Sequence, residues 1–282
     1  MGGNARNILI TGCSSGIGRA TALMMHGRGY RVFATARRRE DVAALSGAGL
    51  EGIQLDLASS SSIRSAVAQI LDRSAGRLHG IVNNGAYGQP GAVEDLSRDT
   101  LREQFETNVF GTQELTNHVI PVFRAQGCGR IIQISSLLGV VCLAYRGAYS
   151  ASKFALEALS DTLRLELRGS GIHVCLVEPG PVSTRFRENA YSAYLRNIDR
   201  TASAHRDTYS RLEARLGGTR PLPFTLPPEA VARTVIRAME ARRPKIRYPV
   251  TVPTRFFAAA RRLLPDRALD WLAAAAGGRG RR

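Results

Sequence analysis

Tyr149 and Lys153 stand four residues apart in "YSASK" (149–153), a spacing that puts both side chains on one helix face. A phenol titrates at about 10, which makes it a poor proton shuttle at neutral pH. Lowering it by about 3 units takes roughly 4 kcal/mol. One positive charge ~4 Å away supplies roughly that much at an effective dielectric of about 20. The charge here is a lysine in a chain that almost never uses one: of 39 basic residues, only Lys153 and Lys245 are lysine. A compact ammonium with rotatable donors can serve both a tyrosine and a ribose diol, a geometry that a planar guanidinium does not fit. Taken alone, a tyrosine and a lysine at this spacing are commonly two surface residues of a helix.

A second stretch changes that weighing. "TGCSSGIG" (11–18) follows an apolar strand and opens a helix. Gly12, Gly16 and Gly18 let the backbone turn sharply and approach a phosphate, and the helix N-terminus offers N–H groups and a positive dipole. Ser14 and Ser15 can cap the helix or bond a phosphate, and Ile17 lies among them. This context predicts dinucleotide binding. NAD binders usually carry a carboxylate about 20 residues further on. Here the second strand ends in "TARRR" (35–39), with Arg37 and Arg38 where that carboxylate would stand. An arginine fork suits a 2′-phosphate, so the expected cofactor is NADP(H) rather than NAD. The plainer alternative is that these arginines merely start a solvated helix.

These motifs need a scaffold, and the hydrophobic pattern supplies one. Strands are expected at 7–11, 30–36, 52–57, 79–84, 129–136 and 172–180. Helices are expected at 16–29, 62–74, near 99–125 and at 149–168. The alternation predicts an α/β fold, a single Rossmann-type doubly wound parallel sheet with helices on both faces. Ligands then bind beyond the carboxyl ends of the strands, where the motifs fall.

The ordered set resembles the classical short-chain dehydrogenase/reductase family over residues 7–250, most closely its steroid and retinol dehydrogenase branch. It is carried by residues 11–18, Asp56, "NNGA" (83–86), Asn108, Ser136, "YSASK" and "PGPVST" (179–184). The resemblance implies Tyr149 as general acid/base and Lys153 as the group that binds the nicotinamide ribose and lowers the tyrosine pKa. It implies Ser136 as the holder of the substrate oxygen and Asn108 as the anchor of a relay water. It further implies cofactor contacts at Asp56, Leu57, Asn83, Gly85, Pro179, Gly180, Val182 and Thr184, and assembly as a homodimer or homotetramer through the two long helices. The family usually reads N-N-A-G where this chain has Asn83-Asn84-Gly85-Ala86, so the flexible residue moves by one position.

The variable lid is expected at about 183–226, within a domain spanning 1–252. Phe186, Tyr191, Tyr194, Leu195 and Ile198, with the apolar run 138–145 that holds Leu138 and Tyr145, suggest a lipophilic pocket for an alcohol or ketone. Leu138, Tyr145 and Phe186 are the expected substrate contacts, together with Ser136 and Tyr149. The same residues can equally pack a lid. The tail 253–282 is basic and amphipathic: residues 242–282 hold 11 basic and 2 acidic residues, so 11 − 2 = +9 of the chain's +16 sits there. The tail is read as a terminal helix packing on the lid or on a partner subunit, with peripheral contact to an anionic membrane as the alternative.

No 18-residue apolar run is present, so no membrane span is expected. The first residues hold no apolar leader, and Arg6 breaks a myristoylation pattern, so a cytoplasmic protein is expected. Cys13, Cys128, Cys142 and Cys175 lack metal-ligand spacing and read as reduced packing residues, with no metal site. No nucleic-acid reading motif accompanies the positive charge. Two rival functions share these motifs. One is a catalytically idle NADP(H)-binding sensor or scaffold, which would be expected to have lost Ser136, Tyr149 or Lys153. The other is an extended-branch epimerase or dehydratase, which spaces its glycines differently.

Overall fold

The computed structural model describes residues 6–218 and 222–277. The first five residues of the chain, 219–221 within the expected lid and 278–282 of the tail lie outside the described residues. Seven strands form one parallel sheet in the order β3-β2-β1-β4-β5-β6-β7. They are β1 (Arg6–Ile10), β2 (Tyr30–Ala36), β3 (Glu51–Gln54), β4 (Gly80–Asn83), β5 (Gly129–Ile134), β6 (Ile172–Glu178) and β7 (Arg247–Pro249). The predicted sheet is therefore present, with β7 as an added edge.

Both faces of this sheet are covered, which is why its strands read as near-continuous apolar runs. Successive residues of β1 point to opposite sides. Ile8 and Ile10 pack with Met25 of α1 (Gly16–His26) and with Val231 and Val235 of α9 (Pro228–Glu240). Leu9 packs on the other face with Ile63 of α3 (Ser60–Arg73) and with Val119 and Phe123 of α5 (Thr112–Gln126). Between β2 and β3 runs α2 (Arg39–Gly47), so the arginine-rich end of β2 does lead directly into a helix.

The long helix expected near 99–125 is present, but it changes its hydrogen-bond pattern partway along. It comprises α4 (Arg98–Phe105), a π-helical stretch at Glu106–Gly111, and then α5. Such π turns concentrate at functional sites, and this one holds Asn108. After β5 comes a short 3-10 turn, Leu137–Gly139, and then α6 (Gly147–Glu166). The lid supplies α7 (Phe186–Asn197) and α8 (Arg206–Gly217). These pack on each other through Tyr194, Tyr209, Leu212 and Leu216.

In the tail, α10 (Val252–Leu263) buries Thr254, Phe257 and Ala260, and Arg261 donates to the Val140 carbonyl at 2.5 Å. The start of the tail is thus part of the main body rather than an appendage. The last helix, α11 (Asp266–Ala276), buries no residue and leaves Trp271 72% exposed. Among the described residues no helix is long and apolar enough to cross a membrane. All four cysteines are free, but only Cys13 and Cys175 are packing residues; Cys128 and Cys142 lie exposed.

Candidate active site

Four loops meet at the carboxyl ends of the central strands. The loop after β1 is tied to its neighbours on both sides. The Cys13 N–H donates to the Thr35 carbonyl of β2 at 2.8 Å. On the β4 side, Thr11 Oγ1 accepts the backbone N–H groups of Asn84 and Gly85 at 2.9 and 2.8 Å. The Asn84 side-chain amide returns donations to the carbonyls of Thr11 and Gly12 at 2.9 and 3.1 Å. Thr11 and Asn84 carry this junction. The threonine begins the glycine motif and the second asparagine belongs to "NNGA", but neither stands out by residue type.

The glycines serve this closeness. Gly12 sits at φ +69°, and a Cβ there would come 2.8 Å from the Gly85 Cα. A Cβ at Gly85 would lie 2.9 Å from Leu57 Cδ1 and 3.3 Å from Thr11 Oγ1, so the moved flexible residue sits against both loops. The loop after β6 completes the crevice: Thr184 rests on Gly16, where a Cβ would lie 2.9 Å from its Cγ2. Ser15 caps α1 in position, yet its side chain makes no cap hydrogen bond. The first N–H groups of α1 are therefore not capped by that hydroxyl, and exposed Ser14 stands beside them, an arrangement that fits an anionic phosphate.

Ser136 ends the extended run after β5, and its Oγ accepts the Leu138 N–H at 3.1 Å. This turn is fastened to the β6 loop by Leu137 N–H donating to the Pro179 carbonyl at 2.7 Å. Facing it, α6 presents Tyr149 and Lys153, both buried. Tyr149, Ser136 and Lys153 line one cavity of about 820 Å³, with Ile17, Asn84, Ala86, Pro179, Gly180, Val182, Thr184 and Phe186. The Phe186 ring meets Tyr149 edge-on, with centroids 5.3 Å apart.

The electrostatics differ from expectation. Burial pushes the Tyr149 phenol up to about 12, opposed by a hydrogen bond with Ser136. Burial also pulls Lys153 down to about 8, opposed by the Glu157 carboxylate. The ammonium donates to the Ile134 carbonyl at 2.7 Å and sits 5.7 Å from the Tyr149 ring centroid. An acidified phenol is thus not a property of these residues by themselves. Desolvation of the buried phenol outweighs its hydrogen bond with Ser136, and the Lys153 hydrogen bond is directed to the Ile134 carbonyl.

A family profile described as "short chain dehydrogenase" matches residues 6–195. The chain belongs to the short-chain dehydrogenase family. It is 40% identical over 265 residues to the uncharacterized oxidoreductase YbbO of Escherichia coli (strain K12), covering 94% of this chain and 93% of that one. Human 17-beta-hydroxysteroid dehydrogenase type 1 is 32% identical over 273 residues, covering 92% and 81% respectively. Among solved structures, a single-site variant of actinorhodin polyketide ketoreductase with NADPH superposes with a TM-score of 0.72 at 29% identity. That match covers 89% of this chain and 97% of the other. The chain is an oxidoreductase of this short-chain family, with a human steroid dehydrogenase among its relatives.

Other sequence-derived residues fall as follows. Asn83 donates to Thr116 Oγ1 at 2.8 Å inside the sheet layer. Asp56 turns the chain after β3, its carboxylate accepting the Ala58 N–H at 3.0 Å, and Leu57 packs under Gly85. Asn108 holds the loop after β4: it accepts the Tyr87 N–H at 3.1 Å and donates to the Tyr87 carbonyl and to Ser152 Oγ at 2.9 and 3.1 Å. Its side chain is engaged in positioning α6 and that loop. Arg37 and Arg38 are exposed at the end of β2, and Arg38 pairs with Asp41 at 3.2 Å.

One substrate contact needs correction. Tyr145 does not line the cavity; it has φ +63° and turns into the lid cluster, where its hydroxyl meets His205 Nδ1 at 3.1 Å. A left-handed backbone at a non-glycine residue redirects the side chain, and an apolar run cannot announce it. Of the lid residues, Phe186 and Tyr191 line the cavity, Tyr194 and Ile198 are packed inside the lid, and Leu195 is exposed.

Proposed function

We propose that the protein is an NADP(H)-dependent oxidoreductase that interconverts an alcohol and its ketone or aldehyde on a lipophilic substrate. The single observation that carries this reading is the convergence of Tyr149, Ser136 and Lys153 on one cavity walled by Leu138, Leu143, Phe186 and Tyr191. The bound nicotinamide supplies the two-electron redox chemistry at the carbon bearing the oxygen. The uncapped start of α1 with Ser14 and Ser15 would hold its phosphates, and the Pro179–Thr184 loop would flank the ring. Arg37 and Arg38 would face a 2′-phosphate. The NADPH carried by the related polyketide ketoreductase supports that choice of cofactor.

Each side chain then has a task. Ser136 holds the substrate oxygen by a hydrogen bond. Tyr149, protonated because burial pushes it up to about 12, donates its proton to that oxygen as the carbonyl becomes an alcohol. The reverse reaction returns the proton to the phenolate. Lys153 holds a positive charge beneath the phenol and offers donors to the ribose.

The test is NADPH consumption over retinal, steroid ketones and long-chain aldehydes, run beside NADH. At least one carbonyl is expected to turn over with NADPH preferred, and Tyr149→Phe is expected to lower that rate by about 10²–10⁴-fold. Tyr149→Phe working at full rate would overturn the assignment. NADPH binding with no turnover anywhere would point instead to the idle sensor.

A further inference from the structure

The cavity's lid side carries a set of charges that hydride chemistry does not need. Arg146 at the N-cap of α6, three residues before Tyr149, Arg187 at the start of α7 and Arg215 near the end of α8 all line it. They come from three different elements and converge on the lid end of the same cavity. Glu188 is the only carboxylate among the described residues that line this cavity, and it is 69% exposed and bonded to Arg185 at 3.1 Å. No carboxylate pairs with Arg146 or Arg215 among the described residues.

These three charges act on one another. Burial lowers Arg146 to about 10, and the positive charges of Arg215 and Arg187 act in the same direction. Arg215 is lowered by burial and by Arg187. Two of the three are steadied by backbone carbonyls: Arg187 donates to Gly218 at 3.1 Å and Arg215 to Gly277 at 3.3 Å. A carbonyl dipole orients the Arg215 guanidinium, but it does not cancel its charge. Arg146 and Arg187 are half-buried and Arg215 is exposed, so cations facing one cavity carry mutual repulsion, and the first two a desolvation cost as well. An anion between them would relieve both, and guanidinium forks match carboxylate and phosphate-like oxygens well.

We infer that the substrate is an amphiphile with an anionic group, such as a carboxylate, sulfonate or phosphate ester. That group is received by Arg146, Arg187 and Arg215, while the apolar body lies along Leu138, Leu143 and Phe186. The inference deepens the proposed alcohol–carbonyl reading by naming its substrate class. The anion site itself can be tested without turnover.

The experiment measures the melting temperature of the full chain saturated with NADP⁺. The probes are decanoate below its micelle concentration, methyl decanoate, and sodium chloride at matched ionic strength. Decanoate is expected to raise the melting temperature saturably, and the ester and chloride are not. In Arg146→Gln/Arg215→Gln the apparent affinity for decanoate should fall at least tenfold. The unliganded double variant should melt at or above the parent, because repulsion is relieved, which also reports that it folds. Equal shifts with decanoate and its ester, a shift reproduced by chloride, or full decanoate affinity in the double variant would each overturn the inference. Absence of turnover with every carbonyl, alongside a decanoate-specific shift, would sink the oxidoreductase reading and leave the anion site standing.

Discussion

Gly18 has no room for a methyl group: a Cβ there would lie 2.2 Å from the Gly12 carbonyl oxygen and 2.6 Å from Asn84 Nδ2. The position is helical, where alanine is intrinsically favoured over glycine by about 1 kcal/mol. Sterics reverse that preference, because the nearest obstacle is backbone. Gly18→Ala is therefore expected to push the loops after β1 and β4 apart, lower the melting temperature, and weaken NADPH binding at least tenfold by fluorescence titration. Unchanged affinity would mean that this crevice does not hold the cofactor. The spacing of Gly12, Gly16 and Gly18 was legible as a dinucleotide turn. Its further cause, loops packed on one another, was not, because the partners Gly85, Asn84 and Thr184 come from distant strands. The phenol departs from expectation for a similar reason. Spacing places Lys153 beside Tyr149, but it cannot say that the ammonium is bonded to the Ile134 carbonyl or how dry the site is.

The strands and helices around the site were readable where apolar periodicity is strong, as in β1, β2, β5, β6 and α6. The three-residue β7, with a proline at its end, is too short to carry a period, yet it anchors a charged network. Arg247 of β7 reaches Glu157 at 2.9 Å and Asp161 at 2.5 Å on α6, and Glu178 on β6 at 3.3 Å. Glu178 is buried, and its carboxyl is pushed up to about 7, first by that burial and then by the Glu157 charge, against the pull of Arg247. Its unfolded value is about 4.3. The folded state therefore holds this proton more tightly. The associated stability is full below about pH 4.3 and is lost as pH rises to about 7. Glu178→Gln removes the titration while keeping the shape. The melting temperature of the variant minus that of the parent should grow between pH 4.5 and 7.5 and level off above. A difference that stays flat across that window would show that Glu178 ionises normally in the fold.

For the molecule as a whole, a net charge of +16 says little about where function lies, since most arginines face water and several are held in surface pairs such as Arg28–Glu240. The tail is where charge and packing separate. α10 buries Phe257, Ala260 and Thr254 beside the turn that carries Ser136, and the Arg261 guanidinium lies 4.9 Å from the Phe154 ring of α6. α11 buries no side chain, and just past its end the Gly277 carbonyl accepts from Arg215. A chain ending at Leu264 should therefore melt within about 3 °C of the full chain, since lost contacts of this kind are worth about 1 kcal/mol. A chain ending at Val252 loses a buried phenylalanine, a change of about 3–5 kcal/mol, which for a domain of this size lowers melting by roughly 10 °C. The shorter chain should also lose turnover, because the Ser136 turn would lose its backing. If the two truncations melted alike, α10 would be no part of the core. The amphipathic pattern at 254–264 would then be free for a surface outside this chain.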